Sequence, residues 1–153
     1  MSDTIESRLQ KLGVTIPAAV QPVANYVTAR KSGNQLYISG QLPLNNGKPV
    51  AIGKVGRTVT AEQAKKSAEA CAINILAQAK TALGDLNKIK QVIKVTAFVA
   101  TDPNFTDIPQ VANGASDLFV NVLGEAGKHA RSAVGVAALP MDVPVEVEAI
   151  LEI

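Results

Sequence analysis

Hydrophobic positions recur in two rhythms along this chain, and each rhythm predicts a kind of element. From Ala64 they return every three or four residues, at Ala68, Cys71, Ala72, Ile75, Leu76, Ala79 and Leu83. That spacing draws one stripe along a helix. Thr60-Ala61-Glu62-Gln63 precedes it as a capping box, in which a hydroxyl and an amide each satisfy an open backbone N–H, and Gly84 stands where a helix ends readily on glycine. A second helical stripe runs through Val111, Ala115, Leu118, Phe119 and Val122. Thr106 or Asp107 caps it, Pro109 is tolerated in its first turn, and Gly124 stops it.

Elsewhere the period is two. In residues 90–99, Ile93, Val95, Ala97 and Val99 share one face of a predicted strand, with Lys94, Thr96 and Phe98 on the other. Residues 131–137 and 143–153 read as two closing strands about a turn at Pro140-Met141-Asp142. In the last strand Val143, Val145, Val147, Ala149, Leu151 and Ile153 share a face opposite Glu146, Glu148 and Glu152. Residues 25–30 and 35–39 read as a hairpin about Lys31-Ser32-Gly33-Asn34. Residues 42–57 carry Pro43, Gly47, Pro49, Gly53 and Gly56, which predicts a loop with at most one short strand over 49–52. Residues 1–24 form a lead-in of short helix or coil. The order predicts a single α+β domain over 1–153, with one mixed sheet and two helices packed on one face. The sheet's other face mixes Glu, Ser, Thr and Tyr, too polar for a buried core and too apolar for water alone. Contact between sheets of neighbouring subunits resolves it.

Composition narrows the chemistry. The 153 residues include one cysteine and one histidine, which excludes a disulfide framework and a multi-cysteine or His-rich metal site. No Trp, two Tyr and three Phe leave few stacking platforms for single-stranded nucleic acid, and a net charge of +2 is too small to steer a polyanion. The polar first ten residues contain no apolar signal core, and no run is long enough to span a membrane, so a cytoplasmic location is expected.

Few residues bear chemistry. Arg131 opens one closing strand and Glu146 lies in the other, so a hairpin between them brings guanidinium near carboxylate. That pair reads either as a cross-strand ion pair or surface charges, or as a fork for a substrate carboxylate with a proton-moving Glu beside it. Gly53-Lys54-Val55-Gly56-Arg57-Thr58 lacks phosphate-loop spacing. Cys71 lies on a helix's apolar stripe and reads as a buried thiol, and His129 reads as a loop histidine holding local structure. Tyr26 and Tyr37 read as packing residues on strands. Asn113-Gly114-Ala115-Ser116 are poor helix formers whose small members admit a neighbouring backbone.

Taken together, Ser39-Gly40-Gln41-Leu42-Pro43, Asn113, Ala130-Arg131-Ser132, Leu139-Pro140 and Val145-Glu146-Val147-Glu148-Ala149-Ile150 resemble the Rid family. These reactive-intermediate deaminases are also called YjgF-like and, formerly, L-PSP endoribonucleases. The resemblance runs from about Tyr26 to the C-terminus and is to a longer subgroup. It implies a chorismate-mutase-like fold and a homotrimer with clefts between subunits. In such a cleft Arg131 grips the carboxylate of a 2-imino or 2-enamino acid and Glu146 places the attacking water. Tyr26, Ser39, Gly40 and Asn113 help line the cleft, with Phe119 as an apolar wall and a backbone contact at Ala133. No metal or other cofactor is implied. The chain departs from the pattern at Ala133, where many members have cysteine, and at Gly135, often acidic. The activity implied is hydrolysis of the imine to a 2-keto acid and ammonia. The alternative is a binding protein for a small carboxylate, and RNA cleavage has little support in these residues.

Overall fold

A computed structural model describes residues 3–153. The lead-in contains a real helix, α1 (Ile5–Lys11), started by a reciprocal capping pair between Thr4 and Ser7 and seated on the core by Ile5 and Leu9. Arg8 donates from Nη1 to the Val122 carbonyl at 3.1 Å, joining this helix to a carbonyl at the far end of another.

The hairpin is β1 (Ala29–Ser32) and β2 (Gln35–Gln41), shorter at its start than the sequence suggested because residues 25–28 bend rather than extend. Its turn is the two residues Gly33-Asn34, with Gly33 at φ 59°. In the loop that follows, Leu44–Asn45 (β3) pairs with Lys48–Pro49 (β4) about Asn46-Gly47, both at positive φ. That Asn-Gly turn makes a small hairpin where a single strand over 49–52 was expected.

Helix α2 (Ala61–Leu83) has both capping-box bonds, and Gly84 ends it at φ 79°. Every member of its predicted stripe is buried. Strand β5 (Gln91–Ala100) leads into α3 (Ile108–Leu123), whose predicted stripe is likewise buried. Gly114 lets the two helices touch: a Cβ there would stand 2.0 Å from the Lys65 carbonyl oxygen.

The closing strands are β6 (Ala130–Val136) and β7 (Val145–Glu152), and they do not form a hairpin. The five-stranded sheet runs β1-β2-β7-β5-β6. β5 pairs in parallel with β6 and antiparallel with β7, so it separates them. The cause is the α3 crossover, which returns the chain parallel to β5 on one flank. The turn at Pro140–Asp142 then carries it across the end of β5 to the other flank. Met141 and Asp142 turn there at φ 57° and 54°, and the Gly53 amide donates to the Asp142 carbonyl at 2.7 Å. β6 is the outer strand and is only partly buried, whereas the alternate residues of β5 and β7 are buried among the helices. The fold is therefore α+β, with α2 and α3 on one sheet face as expected.

Candidate functional site

Arg131 and Glu146 fall into separate neighbourhoods. In register, Arg131 stands beside Val95, which stands beside Ala149, all on the helix side of the sheet. Glu146 stands beside Phe98 on the open side. Two strands, β5 and β7, lie between β6 and β2, a breadth of about 14 Å from three strand spacings. The guanidinium–carboxylate pair expected from a terminal hairpin is absent because the hairpin is absent.

The first neighbourhood is the seam between β6 and α3. Arg131 Nη1 donates to Asn113 Oδ1 at 2.7 Å and to Ser116 Oγ at 3.2 Å. Among the described residues no carboxylate pairs with Arg131, and its Nε–H and Nη2–H groups have no acceptor. One edge of the guanidinium is tied down and the other is open. Ala133 follows two positions on, on the same face and beside Ala97. Phe119 is fully buried; it reaches this seam through the ring of His129, which it meets edge-on with centroids 5.8 Å apart. His129 Nε2 lies 2.9 Å from Ser116 Oγ and Nδ1 2.6 Å from the Gly127 carbonyl oxygen. Burial holds the His129 pKa below its ordinary value; the Gly127 bond opposes this and the Arg131 charge reinforces it. Sequence reasoning named Asn113 and missed Ser116 as a partner of Arg131. The signal was its spacing of three from Asn113, which puts both on one face of α3.

The second neighbourhood surrounds a bulge in β2. Ile38 pairs with Ala149 and Gln41 with Val147, three steps against two, so Ser39 and Gly40 bow out of the ladder. Glu146 fills the room that Gly40 leaves: a Cβ on Gly40 would stand 2.5 Å from Glu146 Oε1. Burial, and then the neighbouring charge of Glu148, raise the Glu146 carboxyl above its ordinary value. Tyr26, Thr28, Gly40 and Leu42 line a hollow of about 100 Å³, although Tyr26 is 56% exposed and lies outside the strands. Ser39 donates from its backbone N–H and its hydroxyl to the Thr28 carbonyl, at 3.0 and 3.2 Å. It also borders a hollow of about 480 Å³ on the open sheet face with Tyr37, Lys94, Thr96 and Glu148.

The remaining candidates are accounted for locally. Cys71 is fully buried, its Sγ 3.7 Å from the Val145 carbonyl oxygen, and burial raises its pKa well above the ordinary value. In the glycine-rich segment Lys54 pairs with Asp142 and Arg57 with Asp102. Among the described residues, no three His, Cys, Asp or Glu side chains gather as metal ligands, and no helix is long and apolar enough to cross a membrane.

Residues 6–152 match the family model described as "YjgF/chorismate_mutase-like, putative endoribonuclease". The chain belongs to this family. Its YjgF-like relatives include Protein TCP17 of Trypanosoma cruzi, 46% identical over 99% of this chain and 96% of that protein. The 2-iminobutanoate/2-iminopropanoate deaminase of Dermatophagoides farinae is 30% identical over 92% and 94%. Among solved structures, Atu1372 from Agrobacterium tumefaciens, a protein of unknown function, superposes with a TM-score of 0.93 at 55% identity, covering 99% of this chain and 93% of that one. The fold is thus the YjgF/chorismate-mutase-like one, with the mixed five-stranded sheet and single helix layer described above.

Proposed function

We propose that this YjgF-family chain hydrolyses 2-imino and 2-enamino acids to 2-keto acids and ammonia, in clefts formed between copies of itself. The observation that carries the reading is Arg131: a partly buried guanidinium with one edge held by Asn113 and Ser116, and no carboxylate among the described residues against the other. An arginine in that state is a ready fork for a carboxylate, each charge-assisted bond contributing about 1.5–3 kcal/mol when water is excluded. The similarity to a named imine deaminase supplies the substrate class.

Glu146 takes the water-placing role. Water adds to the C=N carbon, a proton passes to nitrogen, and collapse of the tetrahedral adduct leaves a ketone and ammonia; a carboxylate beside the water carries that proton. Arg131 and Glu146 lie on opposite sheet faces of one chain, so their cooperation requires two copies, with an exposed β6 edge meeting the β2 bulge of a neighbour. This supports a cleft shared between copies, as in the homotrimer that the family resemblance implies. The reading needs no cofactor, metal or nucleic-acid partner, and a cytoplasmic location is part of the proposal.

Arg131→Ala is expected to abolish hydrolysis of imines made in situ by an amino-acid oxidase, read by semicarbazide trapping. An unchanged rate rejects the assignment. A second reading, small-carboxylate binding without turnover, is favoured by Ala133, where many members have a thiol. Calorimetric binding of 2-ketobutyrate with no rate enhancement selects it.

A further inference from the structure

We propose that Ser116 and His129 are positioning residues for Arg131, a relay of hydrogen bonds that holds one guanidinium edge so that the other meets a carboxylate squarely. The inference rests on the carboxylate-gripping role of Arg131. Its direction follows from the acceptors. Gly127 offers a carbonyl at 2.6 Å, which can only accept, so the His129 proton sits on Nδ1. Nε2 is then the acceptor and takes the Ser116 hydroxyl proton at 2.9 Å. A Ser116 lone pair in turn takes one Arg131 Nη1 proton at 3.2 Å, while Asn113 takes the other at 2.7 Å. Both Nη1 protons are used, which stops the guanidinium turning about its long axis.

The far end of the relay is fixed by packing. Gly127 presses on the end of α3 so closely that a Cβ would stand 2.2 Å from the Phe119 carbonyl oxygen. The His129 ring meets the Phe119 ring at 85°. Charges on the surrounding elements are otherwise engaged: Asp117 of α3 faces Lys65, Glu125 and Lys128 face each other, and Lys94 of β5 lines the open sheet face. Arg131 is therefore the charge to which His129 responds, consistent with its lowering influence on that ring.

His129 is the single histidine of the chain, so its ring proton can be followed by NMR without ambiguity. An anion on Arg131 offsets the cation beside the ring. Saturating 2-ketobutyrate is expected to raise the His129 titration midpoint by roughly half a pH unit in the native protein and not in Arg131→Ala. Ser116→Ala and His129→Phe, the latter keeping an aromatic ring against Phe119, are expected to raise KM for the imine about ten-fold with kcat nearly unchanged. His129→Gln, which keeps an acceptor, restores part of the loss. A His129 midpoint indifferent to 2-ketobutyrate, or a native KM in Ser116→Ala while Arg131→Ala is dead, overturns the relay alone. Native behaviour in Arg131→Ala, or a native protein that neither binds nor hydrolyses, overturns the functional reading and the relay with it.

Discussion

Replacing Gly40 by alanine asks whether the Glu146 carboxylate works where the bulge puts it. The new Cβ would lie 2.5 Å from Oε1, 2.9 Å from Cδ and 3.1 Å from Cγ. Oε1 must therefore retreat about 0.9 Å to reach an ordinary 3.4 Å contact. The neighbour that yields is the end of a flexible, partly exposed side chain, so the fold has little to lose. A catalytic group moved by an ångström typically costs about a hundred-fold in rate. The expected outcome is a kcat for imine hydrolysis down roughly a hundred-fold, with thermal stability within about 0.5 kcal/mol of the native protein. Gly114→Ala is the matched control. Its Cβ would stand 2.0 Å from the Lys65 carbonyl oxygen, and helix backbone cannot swing aside. Separating α2 from α3 costs roughly 1–3 kcal/mol, a fall of several degrees in Tm. Full activity in Gly40→Ala, with a structure showing the carboxylate displaced, refutes the role of Glu146. A large loss of stability there refutes the account of which neighbour yields.

Three further outcomes concern the same carboxylate and the cap of α2. The raised Glu146 pKa means that its carboxylate, the form that accepts a proton, takes up a proton earlier as pH falls, so kcat falls on the acid side at a higher pH than an unperturbed glutamate would give. The same shift favours the protonated state in the folded protein; its stabilising contribution is present below the ordinary glutamate pKa and lost as pH rises through the raised one. Glu146→Gln is thus expected to abolish turnover at neutral pH while leaving melting temperature unchanged or slightly higher. Thr60 Oγ1 accepts from the Gln63 backbone N–H at 3.1 Å and Gln63 Oε1 accepts from the Thr60 backbone N–H at 2.9 Å, so Thr60→Ala should cost about 1 kcal/mol, read as a lower denaturant midpoint with unchanged activity.

The helices and the faces of the last strand were legible because local signals and tertiary packing agree there. The Thr60 box, the Gly84 cap and both apolar stripes need only short-range periodicity. The predicted close approach at Gly114 came from small residues in a poor helix-forming run, and the helix contact is its physical cause. The Asn46-Gly47 turn is equally local, but the prolines and glycines around it read as loop. Strand order is a different kind of information. Two strands joined by a short turn pair by default, and nothing in residues 131–153 records that β5, thirty residues upstream, lies between them. That is decided by the return path of α3. The Ser116–His129 bond escaped for the same reason: its members lie on a helix and in a turn, and only the packing of Gly127 against α3 joins them.

Because β5 intervenes, the site poses a question that one chain cannot answer, and mixing two dead variants answers it. Arg131→Ala retains Glu146, and Glu146→Gln retains Arg131. If both residues acted from one chain, every cleft in a mixture would lack one of them and activity would stay at zero. If each cleft takes its arginine from one copy and its glutamate from a neighbour, random reassembly of equal amounts leaves both native residues in about a quarter of the clefts. Co-refolding the two proteins and assaying semicarbazide-trapped product should then recover about a quarter of the native rate. No recovery, in mixtures shown by mass spectrometry to have exchanged subunits, contradicts the shared cleft. The opposite sheet faces of Arg131 and Glu146 make recovery the expected result, since a rigid five-stranded sheet cannot bring its two sides to the same substrate.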